Sequence, residues 1–173
     1  LACAASTLGL MTFGVISFHL VDDRLLAVSA VPLVYAAAMA VQAVSALATG
    51  FAYDRVGPRV LLVLPALVAL VPALAFAPTF GVALGGVLVW GAATGIQDST
   101  VKALVADLVP AGRLATAYGV FAALQGVAAL AGGGLAGWLY DRTGDPFVPI
   151  LAAIAMFGLT IVTYAAFRIA QRR

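Results

Sequence analysis

The sequence predicts an all-α membrane protein of six transmembrane helices, arranged as two inverted three-helix repeats. Three observations lead there. Of 173 residues, 64% are hydrophobic and 9% charged, with a mean hydropathy of +1.13, whereas a soluble domain carries roughly 25% charged residues. The apolar residues fall into six stretches near the length of about 20 that spans a bilayer. Finally, one charged octet is written twice: "GFAYDRVG" at 50–57 and "GWLYDRTG" at 137–144, both G-x-x-Y-D-R-x-G.

The first span covers residues 1–20 and ends at "VDDRL". The second, 27–52, runs into the first Y-D-R turn, and the third, "VLLVLPALVALVPALAFA" at 60–77, stops at Pro78. The fourth is expected over 80–102, closed by "VADLVPAGR", and the fifth over 115–139, ending at the second Y-D-R turn. The sixth, 147–167, precedes the tail "RIAQRR". Residues 1–173 thus form a single six-helix domain, with one repeat over 1–77 and a second, plus a short tail, over 78–173. The chain opens on Leu1 and is expected to belong to a longer protein; no basic region precedes the first span, so it does not read as a signal peptide.

Lys and Arg concentrate in cytoplasmic loops of such proteins. With six spans both chain ends share a side, which holds Arg55, Arg59, Lys102, Arg113, Arg168, Arg172 and Arg173, while Arg24 and Arg142 face the other. Both ends are therefore expected in the cytoplasm, the protein lying multi-pass in the inner (plasma) membrane. The first Y-D-R turn then lies inside and the second outside, the sequence trace of the inverted repeat common in secondary transporters. Gln42 and Gln125 sit near the middle of the second helix of each repeat, while the third helices are the least polar. That division suits outer, lipid-facing third helices and inner helices lining a polar path.

The composition excludes several classes. A net charge of +2 and one cysteine, Cys3, imply no nucleic-acid partner and allow no internal disulfide. With one histidine, no G-x-x-x-x-G-K-[ST] and no clustered metal ligands, no catalytic residue, metal or cofactor is expected. The Ala-, Val-, Leu- and Gly-rich composition points to a bacterial source.

The loop pattern G-x-x-x-D-R-x-G-x-R, met by Gly50, Asp54, Arg55, Gly57 and Arg59, resembles the signature of the major facilitator superfamily. There it joins the second and third helices of each six-helix half on the cytoplasmic side. The stretch "GIQDSTVKALVADLVPAGRLATAYGVFAALQGVAALAGGGLAGWLYDRTG" is similar to the fourth and fifth helices of that family's C-terminal half. The resemblance covers nearly the whole chain. Two departures from N-terminal halves also favour the C-terminal half: "VLVWGAATGIQDS" carries no arginine, and Gly132, Gly133 and Gly134 are not followed by proline.

The resemblance implies a secondary transporter working by alternating access, its two halves rocking about a central cavity and coupling a small solute to an ion, often a proton. The partners are the lipid bilayer, an N-terminal six-helix half or a second copy, and the solute. A different class, a stand-alone six-helix scaffold or a half-size subunit that dimerises, is set against it; six further spans upstream of Leu1 would separate the two.

By the same resemblance Asp54 caps a neighbouring helix end when the cytoplasmic gate is closed, with Arg55 and Arg59 as basic partners; the bland alternative is a solvated turn that sets topology. Asp98 and Lys102, acid first at i,i+4, are expected to pair on span four and to form an inner-gate network with Arg55, Arg59 or Arg113. Asp98 is also placed to sense a coupling proton. Gln42, Ser45, Gln97 and Gln125 are the substrate-side candidates, weighed against interhelical hydrogen bonding. Gly91 and Gly95, like Gly133 and Gly137, form G-x-x-x-G, which lets helices approach closely. Tyr53 and Tyr140 are read as aromatic-belt residues and His19 as structural.

Overall fold

The computed structural model of the protein describes residues 13–143. Within them the chain forms α1 (Phe13–Asp22), α2 (Val31–Val56), α3 (Leu64–Ala75), α4 (Phe80–Leu108) and α5 (Leu114–Thr143). Short 3-10 segments, Val28–Ala30, Gly57–Val63 and Ala111–Arg113, lead into α2, α3 and α5. The sixth expected span, most of the first, and the tail lie outside the described residues. Three helical stretches, Val28–Val56, Phe80–Asp107 and Leu114–Leu135, are long and apolar enough to cross a membrane.

Local chemistry explains the boundaries. α1 stops at the charged "DDR", where Arg24 takes a left-handed conformation with φ 58° and the Leu26 N–H returns to the Leu20 carbonyl at 2.9 Å. α2 carries Pro32 in its first turn, where the missing N–H costs no helical bond. It ends at Gly57, whose φ of 65° suits a residue without Cβ. α4 ends at Val109, which is extended because the following Pro110 disfavours helical backbone before it.

Two expectations need correction. The Y-D-R stretches are not turns: Tyr53–Arg55 form the last turn of α2, and Tyr140–Arg142 lie inside α5. The reversal after the first stretch falls to Gly57 and Pro58. Span three is also less regular than expected, a twelve-residue α-helix behind a seven-residue 3-10 segment. Pro58, Pro65 and Pro72 each remove an N–H donor from this stretch, and Pro72 lies inside the helix, so a continuous i to i−4 ladder cannot form.

α4 is the centre of the assembly. It packs along α2 on one side and α3 on another, with lighter contacts to α1 and α5. In lipid there is little hydrophobic drive between helices, so close backbone approach between small residues holds them together. Here Gly91 lies against the backbone of Ala38 and Gly95 against that of Gln42, while Gly86 meets the backbone of Ala75 and Leu74 in α3. With Ser99 reaching the Ala46 carbonyl, residues 38, 42 and 46 face 91, 95 and 99: α2 and α4 run parallel in register. The second G-x-x-x-G behaves differently, since a side chain at Gly137 would meet nothing within 4 Å among the described residues.

Away from α4 the helices present apolar faces suited to lipid or to further protein. Leu33, Val44, Leu47 and Phe51 of α2 and Val120, Leu124, Val127 and Leu130 of α5 are exposed. At the end of the bundle where α1 stops, the buried His19 lies 4.8 Å from the Phe76 ring, with its Nδ1 3.8 Å from Asp23. Both contacts fit the structural part expected of it.

Candidate functional site

The parallel register of α2 and α4 shapes a cleft between them. Met39, Gln42, Ala43, Ala46 and Leu47 recur at helical spacing on α2, and Gly95, Asp98, Ser99 and Lys102 do so on α4. Together they line an open cleft of about 490 Å³. Ala43, Ala46 and Gly95 leave room there, and Gln42, Asp98 and Lys102 give it polarity. The floor is tied by the Ser99 hydroxyl, which donates to the Ala46 carbonyl at 3.0 Å.

α5 completes the site. Gln125 Nε2 donates to Asp98 Oδ1 at 3.1 Å, and the Tyr118 hydroxyl donates to the Lys102 carbonyl at 3.1 Å. Because 98 faces 125 and 102 faces 118, α5 runs antiparallel to α4 and therefore to α2. The two Y-D-R stretches consequently lie at opposite ends of the bundle. A half-buried carboxylate within a membrane helix is costly unless it is paired or hydrated, and the carboxamide of Gln125 supplies a donor to it.

The sequence candidates divide under this geometry. Gln42 and Asp98 line the cleft directly, and Gln125 reaches it through Asp98. Ser45 is absent from the lining; its carbonyl accepts a hydrogen bond from the Thr49 hydroxyl. Gln97 is 2% exposed and lies around α4 from the 95–98–102 stripe, so it faces the packed interior and not the cleft. Thr94, one turn before Asp98 on α4 and not among those candidates, donates its hydroxyl to the Trp90 carbonyl at 2.8 Å.

The gating candidates are arranged differently from expectation. Asp98 and Lys102 do not form the ion pair their spacing suggests: Asp98 is engaged across the helix interface by Gln125, and Lys102 is exposed. The network with Arg55, Arg59 or Arg113 is absent among the described residues. Asp54, Arg55 and Arg59 are exposed and make no side-chain hydrogen bond or ion pair there. Arg113 sits instead on a second, mainly apolar hollow of about 660 Å³ along α5, with Thr116, Val120, Phe121 and Leu124. Gly50 belongs to the α2–α4 interface, where a Cβ would meet Ser99 Oγ at 3.9 Å. At the other repeat, the Arg142 guanidinium stacks on Trp138, 4.9 Å from the ring centre.

One contact was not expected from the sequence. The Tyr53 hydroxyl donates to Asp107 Oδ2 at 2.7 Å, tying the end of α2 to the end of α4. Tyr53 is thus more than an aromatic-belt residue. The available signal was topological: spans two and four end on the same side, so a tyrosine closing one can meet an aspartate closing the other. Among the described residues, no three of His, Cys, Asp and Glu come together as a metal site would require.

Comparison with known proteins places this geometry in context. The chain matches the family described as Major Facilitator Superfamily over residues 1–173. It is 50% identical over 159 residues to uncharacterized proteins of Mycobacterium tuberculosis (strain ATCC 25618 / H37Rv) and Mycobacterium bovis (strain ATCC BAA-935 / AF2122/97). The match covers 92% of this chain and 39% of each relative. The chain thus spans about two-fifths of the length of the relatives it matches.

Proposed function

The chain belongs to the major facilitator superfamily of transporters, and on that premise we propose that it is the C-terminal six-helix half of a secondary active transporter. It moves a small solute across the inner membrane by alternating access, with the solute held in the α2–α4 cleft. The observation that carries this reading is the convergence of Gln42, Asp98 and Lys102 on one cleft between otherwise apolar helices, with Gln125 hydrogen-bonded to Asp98. Solute sites in such transporters lie near the bilayer midplane, among helices that also bear the polar groups.

Its partner is an N-terminal six-helix half, a reading supported by relatives that are longer than this chain. The placement of the Y-D-R stretches at opposite ends of the bundle supports two inverted repeats with both chain ends in the cytoplasm. Asp54, exposed at the end of α2, is then available to a helix end of the other half, whose positive dipole favours a carboxylate.

The test uses the full-length transporter. Asp54→Asn removes a contact that forms in only one state, and a carboxylate at a helix N-terminus contributes about 0.3–1 kcal/mol, so the inward-open to outward-open ratio should rise about two- to fivefold. Labelling of Ala106→Cys, on the exposed cytoplasmic end of α4, reads that shift in a background without Cys3. Gln42→Ala should leave the labelling unchanged. An unchanged labelling rate in Asp54→Asn would reduce the motif to a topology signal.

A further inference from the structure

The cleft wall carries both signs of charge, and Gln125 governs how they are displayed. Asp98 and Lys102 stand one turn apart on α4, with about 6 Å between Cβ atoms at such a spacing, where acid and base on a helix ordinarily attract. Here the carboxylate is held toward α5 by the 3.1 Å hydrogen bond from Gln125. Lys102 remains exposed at the end of the same cleft, its backbone carbonyl engaged by Tyr118. The groups that α2 sets opposite, Met39, Gln42, Ala43, Ala46 and Leu47, are all uncharged. Among the described residues, α5 brings the carboxamide of Gln125 and the phenol of Tyr118 to this wall. The cleft therefore offers a carboxylate and an ammonium that are near each other but separate.

A solute with a single charge would answer one of these groups and leave the other uncompensated when the cleft closes. A bare charge shut away from water is costly, more so than one closed in with an opposite charge that offsets part of the cost. We propose that the cleft takes a small zwitterion, its ammonium on the second oxygen of Asp98 and its carboxylate on Lys102. Gln42 stands on the facing wall, and Gln125 is the positioning residue that keeps the two protein charges apart. This rests on the α2–α4 cleft being the solute site.

The experiment uses the full-length transporter in nanodiscs and has two readouts, neither requiring transport. The first is the acylation rate of Lys102 at mildly alkaline pH, followed by peptide mass spectrometry. In Gln125→Ala the released carboxylate swings to Lys102 and holds its amine in an ion pair, slowing acylation about two- to fivefold, the rate equivalent of about 0.2–1 kcal/mol for an exposed pair. Gln125→Met, which keeps the length of the side chain, should give the same slowing, and adding Asp98→Asn to either should restore the wild-type rate. An unchanged rate in both Gln125 variants overturns the positioning role.

The second readout is thermal stabilisation by γ-aminobutyrate, with butylamine and butyrate as single-charge probes of the same carbon chain. The zwitterion should raise the unfolding temperature of the wild type more than the two single-charge probes together. That excess should vanish in Asp98→Asn, Lys102→Gln and Gln125→Ala. Equal shifts from a single-charge probe, or no shift from γ-aminobutyrate, overturns the zwitterion assignment. The alternating-access reading keeps its own test in the Asp54→Asn labelling, so the two can fail separately.

Discussion

Replacing Gly91 and Gly95 by alanine tests what holds α2 to α4. A Cβ at Gly91 would stand 3.1 Å from the Ala38 carbonyl carbon, and one at Gly95 3.0 Å from that of Gln42, with each carbonyl oxygen nearer still. Carbon atoms prefer about 3.5–4.0 Å, so the helices must part by roughly half an ångström or more. Overpacking of this kind costs about 1–3 kcal/mol per site, against a helix-propensity gain of about 0.5–1 kcal/mol for each glycine removed. The parting also stretches the 3.0 Å bond from Ser99 to Ala46, a contact contributing about 0.5–1.5 kcal/mol. Because the two glycines share one interface, their packing costs should not add, and after the two propensity gains the double variant should lose about 1–2 kcal/mol. The control is Gly119→Ala with Gly126→Ala, on α5, where an added Cβ meets nothing within 4 Å among the described residues, so the propensity gain is the expected effect there. Reversible unfolding of the full-length protein in nanodiscs measures both pairs. Loss in the first and gain in the second is the expected outcome. The same sign in both would refute the assignment of this interface to glycine contacts.

Further outcomes follow from single contacts. Tyr53→Phe and Asp107→Ala each remove the 2.7 Å bond between the ends of α2 and α4, a loss of about 1.5–3 kcal/mol for a hydrogen bond to a charged group. Unfolding of the double variant should show little further loss, and additive losses would dissolve the coupling. Thr100, 1% exposed, has a hydroxyl without a hydrogen-bond partner among the described residues. Thr100→Val should therefore leave unfolding stability unchanged or raise it by up to about 1 kcal/mol, since it removes a buried unsatisfied group at nearly constant shape; a clear loss would mean that the hydroxyl is bonded. Single cysteines at Val56 and Arg142, without Cys3, should react with an impermeant thiol reagent from opposite faces of the membrane. Reaction of both from one face would remove the inverted repeat.

The candidate site was legible in part, and the residues say why. Gln42 and Gln125 stood out because a carboxamide in the middle of an apolar span is conspicuous, and both belong to the cleft network. Ser45 and Gln97 were equally polar, yet a helix has several faces. Which face meets a cavity depends on where its neighbours pack. Gly91 and Gly95 announced close approach by their spacing, as did Gly133 and Gly137; the backbones of Ala38 and Gln42 answer Gly91 and Gly95, whereas Gly137 meets nothing within 4 Å among the described residues. Asp98 and Lys102 were matched by local spacing, whereas a donor from α5, twenty-seven residues away in sequence, holds the acid instead.

The sequence alone determined the solvent of this protein and, approximately, the limits of the described helices, although α4 continues to Leu108, past the expected end at 102. With 64% hydrophobic and 9% charged residues, the chain is suited to lipid, and each span ends where charge, glycine or proline interrupts the apolar run. These are local properties, carried by the side chains themselves. Tertiary structure decided the parallel register of α2 and α4, the link from Tyr53 to Asp107, and the partner of Asp98. Those depend on which backbones come together, and such contacts join residues whose sequence neighbours carry no record of the meeting. Small residues permit close approach, but the geometry of the packed helices selects where it occurs.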